Sequence, residues 1–341
     1  MNKQHPGQKS KLQKFKGLYS IKGLVFVAII LLAATVFLLL YMNYSRDATI
    51  HRLYERPSGP IVAWGRDDDG QVSDTPEGNN FVEIAVGLRF SMALRNDGSI
   101  VAWGRDTQGE VMDAPVENNF VAIAAGDYHG LALREDGTIV QWGIDMMLDN
   151  EGYAVGNLPR RDGFVAISAA GSHALALHET GTIYAWGWDI HNQVSYTPRQ
   201  RGGFMAISAG DQHNLALRDD GTIVAWGQDT MGSVNDTPTE NGIISISAGP
   251  RHNLALREDG TIAAWGWDLT NEVSSTPVEG GFMAIDVGYA HSLALDANQN
   301  IVAWGWERGR HGQIDEVPEG DDFFAIAAGY FHNLAIKSTH R

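Results

Sequence analysis

The chain contains no cysteine in 341 residues. That excludes disulfides, thiolate metal sites, a thiol nucleophile and a lipidated N-terminal cysteine, so the fold must be held together non-covalently. Basic residues are scarce beyond the first sixth of the chain. Nine of the 25 Lys and Arg residues, but only two of the 41 Asp and Glu residues, precede residue 58, leaving 16 basic against 39 acidic residues over 58–341. A body that acidic repels phosphate backbones, because sequence-independent nucleic-acid affinity comes from Lys and Arg displacing counterions. No nucleic-acid partner is expected. Gly-x-Ser-x-Gly, Gly-x-x-x-x-Gly-Lys, Gly-x-Gly-x-x-Gly and His-Glu-x-x-His are all missing, so neither an enzyme activity nor a small-molecule cofactor is expected. Apolar residues nevertheless make up 44% of the chain, enough for a large core.

A single long apolar run is present, LVFVAIILLAATVFLLLYM, from Leu24 to Met42. As a helix it would extend about 28 Å, enough to cross a hydrocarbon core of about 30 Å. It exceeds the usual core of a signal peptide and no small-x-small cleavage site follows, which favours an uncleaved signal anchor. Six lysines precede it, Lys3, Lys9, Lys11, Lys14, Lys16 and Lys22, while Arg46, Arg52 and Arg56 follow, diluted by Asp47 and Glu55. The positive-inside bias leaves the N-terminus in the cytoplasm. The expected organisation is a basic cytoplasmic tail (1–23), a transmembrane anchor (24–42), a tether (43–57) and a periplasmic or extracellular body (58–341).

The body is repetitive. Trp-Gly recurs at Trp64, Trp103, Trp142, Trp186, Trp226, Trp265 and Trp304, and seven units at a period near 39 residues fill the chain to its end. Each unit holds three short β-rich runs, such as FVAIAAG (Phe120 to Gly126), LALRE (Leu131 to Glu135) and TIVQWG (Thr138 to Gly143). Turn residues separate the runs, which is strand and not helix patterning. Asp-Gly pairs such as Asp136-Gly137 supply the positive φ of a tight hairpin. Such meanders bury both faces only by stacking on one another, so an all-β, seven-bladed propeller is expected. The last unit stops after NLAI (Asn333 to Ile336), and the first begins with Ile61-Val62-Ala63-Trp64. Pairing these ends would close the ring and leave no open edge. Length variation falls almost wholly between Trp-Gly and a following proline, which marks loops.

The succession Gly-x-x-His-x-Leu-Ala-Leu, Asp-Gly, Ile-Val-Ala-Trp-Gly and a Gly-Gln-Val loop resembles the regulator of chromosome condensation repeat family, over all seven units. The short period, the Ala-Trp-Gly wording and the Thr-Pro step look still more like propeller-type β-lactamase inhibitor proteins. The resemblance implies a seven-bladed propeller. Its members include exchange factors, chromatin binders, inhibitors and secreted effectors, so the fold does not fix a function.

Strand parity places the Gly-x-x-His loops and the residues after Trp-Gly at one end of the propeller. Arg89, Phe90, Tyr128, Trp188, Arg251, Trp267, Tyr289, Trp306, Tyr330 and Phe331 gather there, residue types that anchor protein interfaces. The resemblance agrees, because the inhibitor proteins bind their enzyme through aromatic loop residues on one face. The repeated tryptophans read as inter-blade packing. Six histidines, His129, His173, His213, His252, His291 and His332, share one phase with Phe90 in the seventh place, which fits packing or a bonded carbonyl better than metal ligation. Asp67, Asp106, Asp145, Asp189, Asp229 and Asp268 read as turn-forming, because Val72 and Gly78 stand where a calcium loop starting at Asp67 needs Gly and Glu. The leading expectation is a membrane-anchored, exported module whose partner is another protein. An inhibitor of an exported β-lactamase or penicillin-binding enzyme and a guanine-nucleotide exchange factor are the alternatives.

Overall fold

A computed structural model describes residues 56–144, 154–155, 157–200, 202–306 and 311–339. The apolar run, the basic tail and most of the tether lie outside these residues, and among the described ones no helix is long and apolar enough to cross a membrane. The body is all-β. After β1 (Ile61–Gly65) come β2 (Phe81–Val86), β3 (Phe90–Arg95) and β4 (Ile100–Gly104), then β5 (Phe120–Ala125), β6 (His129–Arg134) and β7 (Ile139–Gly143). The third unit holds β8 (Ala154–Val155), β9 (Phe164–Ala170), β10 (His173–His178) and β11 (Ile183–Trp188). The pattern repeats in β12 (Phe204–Ala209), β13 (His213–Arg218) and β14 (Ile223–Gly227), and in β15 (Ile243–Ala248), β16 (His252–Arg257) and β17 (Ile262–Gly266). It ends with β18 (Phe282–Val287), β19 (His291–Asp296), β20 (Ile301–Gly305), β21 (Phe323–Ala328) and β22 (His332–Lys337).

Blades 1 to 6 are the antiparallel sheets β2-β3-β4, β5-β6-β7, β9-β10-β11, β12-β13-β14, β15-β16-β17 and β18-β19-β20. Blade 7 is built from both chain ends. β1 pairs with β22, Ile61 opposite Ile336 and Gly65 opposite His332, and β22 pairs with β21. The sequence expectation for closure therefore holds in register. The third unit departs from it, because the stretch expected to be only loop supplies β8, which pairs with β11 (Trp188 opposite Ala154) as a fourth, outer strand.

The Asp-Gly hairpins are three-residue turns, not two-residue ones. The Gly137 N–H donates to the Arg134 carbonyl, and the Arg134 N–H to the Thr138 carbonyl. Only Gly137 takes positive φ, 79°. That is a type I turn closed by a left-handed glycine, with the Asp136 carboxylate capping the Thr138 N–H at 2.9 Å. In blade 6, Gln299 holds the glycine's place at φ 66°.

Adjacent blades share their cores. Phe90, Met92 and Leu94 of blade 1 pack with Phe120, Ile123 and Trp142 of blade 2, and the same arrangement recurs around the ring. Each seam also carries a polar fastening at its tryptophan, and five of the seven carry a second. The indole N–H of a Trp-Gly tryptophan donates to a loop carbonyl of the preceding blade, Trp103 to Gln71 at 3.0 Å, Trp265 to Ser233 at 3.1 Å and Trp64 to Gln313 at 2.9 Å. Trp186 uses the Gln141 side chain instead, at 2.8 Å.

The second fastening is the histidine belt. The Nε2 atoms of His173, His213, His252, His291 and His332 meet Asn214, Asn253, Ser292, Asn333 and Ser91 of the next blade at 2.6–2.8 Å. The partner is a side chain and not the carbonyl considered from sequence. His129 has no such partner, because Ala174 stands opposite, and both its ring nitrogens are buried without a hydrogen bond. The Phe90, His129, His213 and His291 rings fold back over the glycine of their own loops. A Cβ on Gly126 would lie 2.0 Å from the His129 ring, and one on Gly87 2.1 Å from Phe90.

Two predictions follow from these seams. Ala174→Ser gives His129 its missing partner and is expected to raise unfolding stability by about 1 kcal/mol, while Trp265→Ala lowers it by about 3 to 5 kcal/mol. Urea titration of both variants checks this. The second concerns acid. Burial, the largest cause, holds His129, His252 and His332 down to about 3 and His173 and His291 to about 4, and lowers His213. The unfolded chain protonates all six near pH 6.5, so their stabilisation is complete above that pH and lost as pH falls. Asp127, raised to about 7, and Asp286, raised to about 6, act oppositely, as do Asp211 and Glu83. With about two to four net protons favouring the unfolded chain, stability should fall by about 3 to 5 kcal/mol per pH unit between pH 6 and 4.5. A flat profile in that window contradicts the belt's role.

Candidate functional site

The chain direction fixes which groups meet at each end of the propeller. In every blade the N–H after Trp-Gly donates to the carbonyl preceding the His phase, Trp267 to Arg251 at 3.1 Å, Trp306 to Ala290 at 2.9 Å and Arg66 to Phe331 at 2.9 Å. The two loop sets therefore share one end, as expected from strand parity. The Asp two residues after Trp-Gly shapes that end in five units, Asp145 lying outside the described residues. The Asp268 carboxylate accepts the N–H groups of Val273 and Ser274 at 2.8 Å, and Asp67, Asp189 and Asp229 do likewise in their loops. These are turn-forming carboxylates, as read from the sequence.

The ten residues expected at this end do not form one surface. Six of them are contiguous. The Arg251 guanidinium lies 4.9 Å from the Trp267 ring and 4.2 Å from the Tyr289 ring and donates to the Tyr289 hydroxyl. Tyr289 stacks on Tyr330 at 5.1 Å and 23°, and Phe331 leans on both at 6.1 Å. Trp306, 41% exposed, joins Tyr289, Tyr330 and Phe331 around a narrow recess. This crescent is drawn from blades 5, 6 and 7.

The remaining four stand apart. Arg89 pairs with Asp69 at 3.1 Å. Tyr128 is half-buried with its carbonyl bonded to the Ile144 N–H. Trp188 ends β11 against β8, its indole N–H buried and unpaired. Phe90 must be withdrawn from the surface set. It is 1% exposed, because it occupies the histidine phase and points into the core between blades 1 and 2.

Sequence reading missed the floor of the site. The seven inner strands surround an axial channel of about 360 Å³, and in five blades the residue after the loop glycine reaches its mouth, as Asp127, Asp211, Pro250, Tyr289 and Tyr330. Tyr330 reaches across the mouth from blade 7 to donate its hydroxyl to Asp211 of blade 4 at 2.5 Å. Recession from bulk water, reinforced by the Asp211 charge, pushes Asp127 up to about 7. Recession also raises Asp211, against the opposing pull of the Tyr330 hydroxyl and of Arg251, and it raises Tyr330, with the Asp127 and Asp211 charges adding to it. These aspartates occupy the same loop position as Tyr289 and Tyr330, a signal available in the sequence had carboxylates been followed beside aromatics.

Deeper in the channel, side chains stitch the open edges of the inner strands. The Asp286 carboxylate accepts the Ala328 N–H at 2.7 Å and the Ser247 hydroxyl at 2.9 Å, and Glu83 accepts the Ile123 N–H at 3.1 Å. At the far end Arg56, the first described residue, pairs with Glu83 at 3.3 Å and bonds the Val121 carbonyl at 3.3 Å. Arg56 therefore places the entry of the chain at the end of the propeller opposite the crescent.

Comparison with known proteins places this architecture. The regulator of chromosome condensation (RCC1) repeat matches residues 81–110, 120–145, 164–193, 206–233 and 243–269. The chain carries RCC1 repeats and is an RCC1-like seven-bladed propeller. Its fold is similar to Prp20p of Saccharomyces cerevisiae, solved in a study of its binding to Gsp1p and histones, at 18% identity and TM-score 0.65 over 88% of this chain and 96% of that one. Human WBSCR16 is similar at 15% identity and TM-score 0.66, over 82% of this chain and all of that one. The ectodomain of the Arabidopsis thaliana receptor kinase ACR4 is similar at 20% identity and TM-score 0.59, over 76% and 92%. No curated protein matches the sequence.

The channel mouth yields one direct test. Asp211→Asn removes the neighbouring charge that helps raise Asp127, so the Asp127 midpoint should move below about 7, read by carboxyl carbon NMR. An unmoved midpoint would show that the two carboxylates do not sense one another.

Proposed function

We propose that this protein is a membrane-anchored, exported propeller that binds another protein through the crescent of Arg251, Trp267, Tyr289, Trp306, Tyr330 and Phe331. The observation carrying this reading is the contiguity of six anchor-type side chains at one end of a rigid ring, around a half-exposed Trp306. Aromatic and Arg clusters of this kind supply most of the energy of protein interfaces. The position of Arg56 supports the orientation, because a tether entering at the opposite end points the crescent away from the surface that anchors it. The Leu24–Met42 run and the lysines before it supply the anchor and its direction. A receptor-kinase ectodomain with this fold is consistent with an exported RCC1-like propeller. The acidic body and the absence of a phosphate-binding motif argue for a protein and not a nucleic acid as the partner.

A second reading, guanine-nucleotide exchange on a small GTPase, draws on the likeness to Prp20p, whose study addresses binding to Gsp1p. It requires a cytoplasmic body, so the two readings part on topology before any partner is known. Alkaline phosphatase fused after Arg341 should be active under the first reading and silent under the second. In a pull-down from detergent-solubilised envelope, the full chain should retain a partner that the folded Trp267→Ala/Trp306→Ala variant loses by at least about tenfold. Equal retention by both proteins would remove the crescent from the interface.

A further inference from the structure

The crescent does not stand beside an inert opening. Its inner edge, Tyr289 and Tyr330, is also the rim of the axial channel, and the other rim residues include Asp127 and Asp211. The Tyr330 hydroxyl bonds Asp211 across the mouth, while neither carboxylate has a Lys or Arg within ion-pairing distance among the described residues. The cations of this end are engaged elsewhere. Arg66 is held by Asp68 at 2.5 Å and lies over Phe331, and Arg89 is held by Asp69. Arg251 is held between Trp267 and Tyr289, so only its field reaches Asp211.

We infer that the crescent docks a basic segment of its protein partner, with one Lys or Arg side chain seated over Asp127 and Asp211 at the channel mouth. This rests on the crescent being the partner surface and adds the chemistry of what it receives. Charge decides between the candidate occupants. An apolar segment covering the mouth would strip water from two carboxylates and give them nothing in return, a cost of several kcal/mol per ion. An acidic segment would add repulsion to that cost. A Lys or Arg offers charge-assisted hydrogen bonds to both carboxylates, and its methylene stem lies along the Tyr289–Tyr330 stack, where ring faces attract cations. The surplus of carboxylates over residues 58–341 steers a basic segment toward the body at long range.

The test selects a phage-displayed random dodecapeptide library on the full-length protein in detergent micelles. The expected outcome is enrichment of peptides carrying Lys or Arg beside an aromatic or aliphatic residue. Their affinity should fall at least tenfold when that Lys or Arg becomes Gln, fall similarly on Asp127→Asn/Asp211→Asn, and drop between 50 and 300 mM salt. Asn is isosteric with Asp, and the variant's fold is checked by its urea midpoint. If the variant fails to fold, the peptide Lys→Gln or Arg→Gln exchange and the salt series on the unmodified protein decide. Peptides whose binding is lost on Trp306→Ala but indifferent to the Asn pair and to salt would leave the crescent a docking surface and overturn the basic occupant. Peptides indifferent to all of these variants, or no enrichment over bare micelles, would overturn both readings.

Discussion

The structure depends on the seam between blades. A three-stranded meander exposes two apolar faces, and each blade buries its faces only by sharing a core with its neighbours on either side. That leaves an arrangement stable only when the ring is complete. Closure therefore falls to the pairing of β1 with β22, in which residues separated by nearly the whole body of the chain form one sheet. The seams are not purely apolar. An indole N–H reaching back to a loop carbonyl and an imidazole reaching forward to Asn or Ser fasten adjacent blades at defined points, and these bonds fix the rotation of one blade against the next. Without that rotation, loops from different blades would have no common geometry.

The fold was largely legible in the sequence because its determinants are local and periodic. Trp-Gly marks the outer strand, the Leu-Ala-Leu run the middle one, and the unpaired terminal runs announce their own pairing. What was not legible depends on contacts between units. The partner of each bonded imidazole is the residue one place after the histidine phase in the following blade, about forty residues on except where His332 meets Ser91 across the closure, and its identity changes between Asn and Ser, so no single repeat displays it. The same separation hides His129, whose isolation is visible only when Ala174 is placed opposite it. β8 has two residues and no alternation to reveal it.

The candidate site was half legible. Parity placed the correct loops at one end, and six of ten chosen side chains are contiguous. Phe90 failed because its place in the repeat is the interior histidine phase, which outweighs the aromatic character that singled it out. Trp188 and Tyr128 failed because they belong to blades on the far side of the ring from the crescent's three consecutive blades, and Arg89, on blade 1 beside blade 7, is held by Asp69 instead. The carboxylates of the channel mouth escaped notice because a scattered Asp in an acidic chain carries no signal until the ring brings Asp127, Asp211 and Tyr330 together.

The propeller thus presents two unlike ends, the entry of the chain at Arg56 at one and an aromatic rim around an acidic mouth at the other. Photo-crosslinking in living cells tests that polarity most directly, with benzoylphenylalanine placed at Trp306 of the crescent or at Glu258 in a hairpin turn of the opposite end. The account predicts a discrete protein adduct from position 306 and none from 258. An adduct from 258 alone, or from both positions equally, would contradict it.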